Sequence, residues 1–419
     1  MTQRRSRHAS RRSGITGLLD IGTSKVAVAI VADSADDAQS LRVLGVGLQR
    51  SRGVKAGVLT DLDQAEIAVR AAIAQAERAA GVTLDAVIVS LAAGRIKSQH
   101  FSARTDVLSG HVGNDDLARV NQAARDYAER DGRSLVHMNE LGYRLDGLPG
   151  GIEVRGLAAR QLAADFHAVT ADEAPMRNLL LLIERCYLAC EGIFAAPYAS
   201  ALSVTSREER ELGVTVVDIG AGTASIAVFA EGHFVGADVV PVGSQHITFD
   251  IARALQTPLS EAERIKTLYG TLISAQSDEH ETFSYPLAGE EDGAAYQTTK
   301  ARLTEIIRPR FAQIFALLRE RLAENAASAY AGEKVVLTGG ACQLLGSAEF
   351  AANELGRPVR LGKPAPLAGF PGSVTGPHFA TLCGLAAAAE EAGDSFYGVG
   401  DSSGQGYLGR VGKWLSSSF

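Results

Sequence analysis

No stretch of this 419-residue chain approaches the roughly 18 continuous apolar residues that a spanning helix needs. Cysteine is scarce: Cys186, Cys190, Cys342 and Cys383 make no CxxC pair and stand at no zinc-holding spacing from histidine. That argues against a disulfide framework or a zinc site, and for reduced thiols in an intracellular protein. Positive charge is not in excess either. Forty-one Lys and Arg against 48 Asp and Glu leave a net charge of −7, which disfavours the broad basic face of a nucleic-acid binder. The basic residues Arg4, Arg5, Arg7, Arg11 and Arg12 precede an apolar stretch that Asp20 and Lys25 interrupt. A twin-arginine export signal is therefore rejected, and residues 1–13 read as a disordered cationic arm.

What is present is a chain 46% hydrophobic and 21% charged, long enough for two or more cores and too apolar to be disordered. Gly17 to Val31 reads as strand, tight turn, strand, and Leu41 to Leu48 as a third strand. Asp63 to Ala80 carries Ile67, Ala71, Ala74 and Arg78 at helical spacing and stops at Gly81. From Ala92 to Gln161 the texture changes to short strands, Gly-rich turns and two polar helical stretches, as for an inserted subdomain. Thr170 to Glu191 returns to a strong helix with Met176, Leu179, Leu180, Ile183 and Tyr187 on one core-facing side. At Gly213 the opening pattern recurs: GVTVVDIGAGTASIAVF repeats GITGLLDIGTSKVAVAIV in order and phase, which implies two duplicated lobes. Thr257 to Ile273 and Thr298 to Leu322 read as helices, Ala275 to Gln297 as polar and weakly patterned, and Ala380 to Glu391 as an Ala-rich closing helix.

The repeated turns carry the chemistry. A triphosphate needs backbone N–H donors and no side-chain bulk, which Gly22, Gly220 and Gly222 supply. Thr23, Ser24 and Thr223 add hydroxyls, and Lys25 adds a point charge for β- and γ-phosphate. Asp20 and Asp218 end apolar strands where a bare carboxylate is costly, so a divalent cation such as Mg²⁺, held through water, is their natural partner. Gly339, Gly340 and Ala341, in VVLTGGACQLLG, leave room for a flat base before a helix starting at Ala341 or Cys342. Glu263 and Lys266, one helical turn apart, can reach ribose hydroxyls.

Taken in order, LLDIGTSK, VVDIGAGT, PVGSQHITFDIA, EAERIKTLYG and VLTGGACQLLG resemble the phosphate, connecting, ribose and adenosine segments of the actin, Hsp70 and sugar-kinase superfamily. Within it the chain is most similar to the FtsA family of bacterial cell-division proteins, notably in SRGVKAGVLTDLD (Ser51 to Asp63), Glu209 to Thr223 and Thr257 to Gly270. The resemblance implies an α/β, actin-like ATPase fold: two duplicated ribonuclease-H-like lobes with an inserted subdomain in the first. It further implies ATP with Mg²⁺, protofilaments of the chain with itself, and capture of the tubulin-like division GTPase FtsZ. Other division proteins join these partners, on the cytoplasmic face of the inner membrane at the septum. The expected division is a first lobe at 14–91 and 162–212, the insertion at 92–161, a second lobe at 213–245 and 304–392 and a tip at 246–303. By the same resemblance the tip carries the FtsZ surface, with Arg302 and Arg308 as contacts. Pilus-assembly proteins and small-molecule kinases of the superfamily are the alternatives. No residue near Ala195 to Ser203 is suited to orient an attacking water, so only slow ATPase activity, helped by Asp20 and Asp218, is expected.

Residues 393–405 have the composition of a flexible linker. Beyond them, Leu408, Val411, Trp414, Leu415 and Phe419 fall on one side of a helical wheel with Arg410 and Lys413 beside it. That pattern predicts an interfacial amphipathic helix over 406–419 for anionic lipid, too short to span a bilayer.

Overall fold

The computed structural model describes residues 14–33, 41–92, 95–151, 153–289, 295–324, 327, 331–365, 367–372 and 375–395. The expected cationic arm and the amphipathic segment with Leu408, Arg410, Val411, Lys413, Trp414, Leu415 and Phe419 lie outside them.

The chain opens with β1 (Ile15–Ile21), β2 (Lys25–Asp33) and β3 (Leu41–Arg50), followed by a two-residue hairpin of β4 (Val54–Lys55) and β5 (Val58–Leu59). Helix α1 (Leu62–Ala80) starts where the Asp61 carboxylate accepts the Gln64 N–H and stops at Gly81, whose φ is 70°. Its buried face is Ala65, Ala68, Val69, Ala72, Ile73 and Ala76, while Ile67 of the periodic set is 56% exposed. The small residues win because β3 crosses too close for larger ones: a Cβ on Gly47 would lie 2.9 Å from the Ala76 nitrogen. Strand β6 (Ala86–Leu91) then joins β1 in parallel.

The insertion contains β7 (Lys97–Asp106), α2 (Asn114–Ala128), β8 (Arg133–Leu145), β9 (Leu148–Gly151) and β10 (Gln161–Asp172). Its sheet has the order β7-β10-β8-β9, and α2 closes a separate core around Val120, Ala124, Leu162 and Phe166. Among the described residues of the insertion there is one helix in place of the two polar stretches. Strand β10, which runs past the expected limit at 161, pairs with both β7 and β8.

The chain returns through α3 (Glu173–Arg185), β11 (Ala189–Ala195), α4 (Ala196–Val204) and α5 (Arg207–Leu212). The helix expected over Thr170 to Glu191 is thus shortened by a strand on each side. Tyr187 is not core: it sits beyond the helix at φ 62°, 83% exposed, with the Arg70 guanidinium 4.7 Å from its ring.

The second lobe repeats the first: β12 (Val214–Ile219), β13 (Ala224–Ala230), β14 (His233–Val240), α6 (Ser244–Leu255) and α7 (Leu259–Tyr269). The weakly patterned stretch contains a hairpin of β15 (Thr282–Pro286) and β16 (Ala295–Thr299), held by Phe283 stacked on Tyr269 at 4.6 Å. Then come α8 (Lys300–Glu324), β17 (Val335–Thr338), α9 (Ser347–Leu355), β18 (Val359–Leu361) and α10 (Ala380–Ser395). The two large sheets have one order, β3-β2-β1-β6-β11 and β14-β13-β12-β17-β18. In each, the central strand has antiparallel neighbours on one side and parallel ones on the other.

Helices α4 and α10 lie between the sheets. Leu382, Leu385, Ala386 and Ala389 of α10 enter the apolar core of the first lobe, which also takes in Ala227, Phe229 and Phe234 of the second. The closing helix, allotted to the second lobe by its place in the sequence, therefore packs on the first. It crosses α4 so closely that a Cβ on Gly384 would fall 3.0 Å from the Ala199 Cα and nearer still to its carbonyl. Ser203 of α4 donates to the Ala380 carbonyl at 2.8 Å across the same crossing.

Candidate functional site

Each repeat turns through the same bond. Gly22 N–H donates to the Lys25 carbonyl at 3.0 Å, and Gly220 N–H to the Thr223 carbonyl at 2.9 Å. The duplicated sheets aim these turns at each other: Thr23 lies against Gly222 so tightly that a Cβ there would stand 2.8 Å from the Thr23 Cβ and Cγ2. Around this junction Gly22, Thr23, Gly220 and Thr223 are partly exposed and Ser24 is exposed, leaving amides and hydroxyls accessible from the gap.

Behind the turns sit the paired carboxylates. Ser90 Oγ donates to Asp20 Oδ1 at 2.7 Å, while Asp218 is held by the Ser200 hydroxyl and, at 3.5 Å, by Thr381 Oγ1. Burial pushes the Asp20 carboxyl above its usual range, with Lys25 and Ser90 opposing the shift. Burial, reinforced by the charge of Asp20, pushes Asp218 up to about 6. Lys25 is drawn the other way: desolvation lowers its pKa although Asp20 and Asp218 favour the charged form. Its ammonium does not extend into open solvent; it donates to the His378 carbonyl and lies 4.0 Å from the Phe379 ring centroid. Beside it the His378 imidazole is held neutral, down to about 4, by burial and by the lysine.

The base and ribose residues adjoin the second turn. Ser244 N–H, at the start of α6, donates to the Gly220 carbonyl at 2.9 Å. Lys266 is buried and donates to Thr248 Oγ1 at 2.8 Å, to Glu263 Oε2 at 2.7 Å and to the Ser244 carbonyl at 3.3 Å. The lysine thus ties α7 to α6, and Glu263 is the exposed member of the pair. Gly339, at φ +90°, packs on Asp218, where a side chain would meet the Ile219 carbonyl. The helix expected from Ala341 or Cys342 is instead a single 3-10 turn, Gly340–Gln343, with Ala341 buried; the α-helix begins at Ser347. Thr271 bridges Leu345, so the ribose and adenosine segments meet.

The arrangement fits a metal-bound polyanion. Two desolvated carboxylates share one lysine, the turn at Gly222 has no room for a side chain, and the buried Ser51 hydroxyl beside Ser24 has no hydrogen-bond partner. Among the described residues no three His, Cys, Asp or Glu side chains converge on one point. A cation here would rest on Asp20 and Asp218 together with oxygens of ligand and water.

Several residues escaped the sequence reading. Ser90, a polar residue in the buried run of β6, was legible as an anomaly; Ser200 and Thr381 are brought in by α4 and α10, and His378 and Phe379 by the 3-10 turn Pro377–Phe379 before α10, with no local signal. Arg302 is exposed and paired with Glu305 at 2.9 Å. Arg308, also exposed, donates to the Leu272 carbonyl at 2.8 Å with its guanidinium 5.3 Å from the Phe350 ring.

Residues 215–384 match the family model "Cell division protein FtsA", and residues 93–170 match "SHS2 domain inserted in FTSA". The chain is 38% identical to Cell division protein FtsA of Agrobacterium fabrum, over 98% of this chain and 96% of the relative. It is 32% identical to that of Escherichia coli strain K12, over 90% of each. Among solved structures it is similar to a PilM-PilN type IV pilus biogenesis complex, with TM-score 0.64, 18% identity, and coverage of 90% of this chain and 98% of that one. MreB5 of Spiroplasma citri bound to ADP gives TM-score 0.51 at 11% identity, covering 92% of this chain and 99% of the other. These likenesses establish an actin-like fold carrying an inserted subdomain.

Proposed function

The chain belongs to the FtsA family of cell-division proteins, and from that premise we propose that it binds ATP with Mg²⁺ between its lobes, polymerises on the membrane and tethers FtsZ to it. The observation that carries the reading is the pair of Asp-led glycine turns meeting at Thr23 and Gly222 with both carboxylates and Lys25 behind them. Magnesium triphosphate would supply the counter-charge that the site lacks in two places, a cation for Asp20 and Asp218 and an anion for the ring of amides. Gly22, Ser24, Gly220 and Gly222 line the phosphates, Thr23 and Thr223 donate hydroxyls, and Lys25 exchanges the His378 carbonyl for a phosphate oxygen. Glu263 faces the ribose, Lys266 holds the wall behind it, and Gly339, Gly340 and Ala341 flank the base.

Because both turns grip one ligand, occupancy sets how closely the lobes approach, and lobe closure is the variable a filament contact can sense. Helix α4 offers no carboxylate or amide side chain to orient water, which favours assembly over fast turnover. The amphipathic segment, with Leu408, Val411, Trp414, Leu415 and Phe419 beside Arg410 and Lys413, binds lipid weakly as one copy and firmly when many copies line a filament. FtsZ is held at the tip and the start of α8, where Arg302 and Arg308 are exposed cations.

Electron microscopy of the purified full chain on an anionic lipid monolayer, with and without ATP, tests the whole reading. Lipid-bound filaments that need nucleotide are expected; bare monolayers under both conditions would reject it.

A further inference from the structure

The segment Ser51 to Asp63 folds back on the first glycine turn. Ser51 N–H donates to the Ser24 carbonyl at 3.0 Å, and the Gly53 carbonyl closes the base by accepting from Thr60 N at 2.8 Å and Asp61 N at 3.1 Å. The β4–β5 hairpin reverses through Ala56 at φ 47° and Gly57 at φ 73°, two left-handed residues in succession, as the tightest hairpin turn requires. At its tip the Gly57 N–H donates to Thr23 Oγ1 at 3.0 Å.

Thr23 is therefore enclosed from two directions, by Gly57 of the hairpin and by Gly222 of the opposite lobe. A threonine hydroxyl has one proton and two lone pairs. Gly57 occupies a lone pair, so the proton is what Thr23 retains to give, and among the described residues it is given to no acceptor. Ser51 Oγ, at the foot of the same hairpin, is also buried without a partner. Both open valences adjoin the turn assigned above to phosphate.

We infer that the Ala56–Gly57 turn is a positioning element for the terminal phosphates: its amide holds the Thr23 hydroxyl as a donor to them, so the hairpin sets triphosphate affinity without touching the ligand. This rests on the nucleotide reading and goes beyond it, because the hairpin belongs to neither glycine turn. Two substitutions act on the turn in opposite senses. Ala56→Asn suits a left-handed residue and firms the turn, whereas Gly57→Val places a β-branched side chain at a φ it resists and loosens it.

The test is calorimetric titration of the full-length chain with AMP-PNP and MgCl₂, for A56N and G57V, each in the Thr23 and the Thr23→Val backgrounds. With Thr23 present, G57V should weaken binding by about five- to thirtyfold and A56N should bind as tightly as the parent or tighter. In the Thr23→Val background both differences should vanish, as non-additivity demands of groups that act in series. Equal weakening by G57V in both backgrounds, or none with Thr23 present, overturns the inference while leaving nucleotide binding standing. A parent chain that does not bind AMP-PNP sinks the nucleotide reading itself. If G57V does not fold, amide exchange decides: Gly57 should exchange faster in Thr23→Val than in the parent, and unchanged exchange overturns the proposal.

Discussion

Gly222→Ala tests the meeting of the two turns most directly. Ordinary Cβ contacts begin near 3.4 Å, yet a Cβ at 222 falls 2.8 Å from the Thr23 Cβ and Cγ2 and closer still to Oγ1, so the turns must separate by about 0.6 Å or more. The backbone at 222 is not left-handed, so the substitution acts through bulk alone. Forcing one extra carbon into a close-packed contact costs about 1–3 kcal/mol. If the bound state needs the turns together, that cost appears as a loss of about 5- to 150-fold in affinity for Mg-ATP. Gly192→Ala, in β11 and outside the turns, is the control: its Cβ would make only ordinary contacts, the nearest with the Phe194 ring at 3.8 Å, and should weaken binding less than about threefold. Titration of each purified variant with a fluorescent ATP analogue reads both numbers. Parental affinity in Gly222→Ala, or a larger loss in Gly192→Ala, would refute the claim that a single ligand is gripped from both lobes.

Gly384→Ala at the α4–α10 crossing should cost about 3 kcal/mol or more and lower the thermal midpoint by several degrees in calorimetry, because a carbonyl on α4 occupies the space of the new methyl. Asp218→Asn should stabilise the nucleotide-free protein at pH 7.5. The native carboxyl, raised to about 6, carries a penalty that is fully developed above that value and disappears by about pH 4, near the unfolded pKa; melting curves across that window should show the gain shrinking as pH falls. Arg302→Glu should leave the melting curve unchanged and weaken FtsZ-peptide binding, whereas Arg308→Ala should also lower the thermal midpoint, since its guanidinium bonds the Leu272 carbonyl and lies over the Phe350 ring. Deleting residues 406–419 should abolish sedimentation with anionic liposomes and leave the ATP titration unaltered.

The turns were legible because their cause is local. An apolar strand, an aspartate and a glycine within five residues repeat in phase, and the backbone bonds of Gly22 and Gly220 follow from that pattern alone. Contacts made by backbone amides left no trace: nothing in KAG announces that the Gly57 N–H will reach Thr23, and the segment stood out only by family resemblance. Lys25 is placed at the turn by its position, but its partner is not legible there, since its ammonium is held by a carbonyl more than 350 residues downstream. Periodicity failed where glycine changed the spacing between elements, as at α1, whose alanine face is buried and whose Ile67 is not. The Ala-rich closing helix has no distinctive face, so chain order, the only guide, put it in the wrong lobe.

That return of α10 decides what the far end of the chain is fastened to. Glu391, near the end of the helix, accepts from the Tyr198 hydroxyl and the Arg210 guanidinium, while Glu209 of the same short helix as Arg210 holds Arg360 of the second lobe's edge strand, so one charged seam joins the closing helix to both lobes.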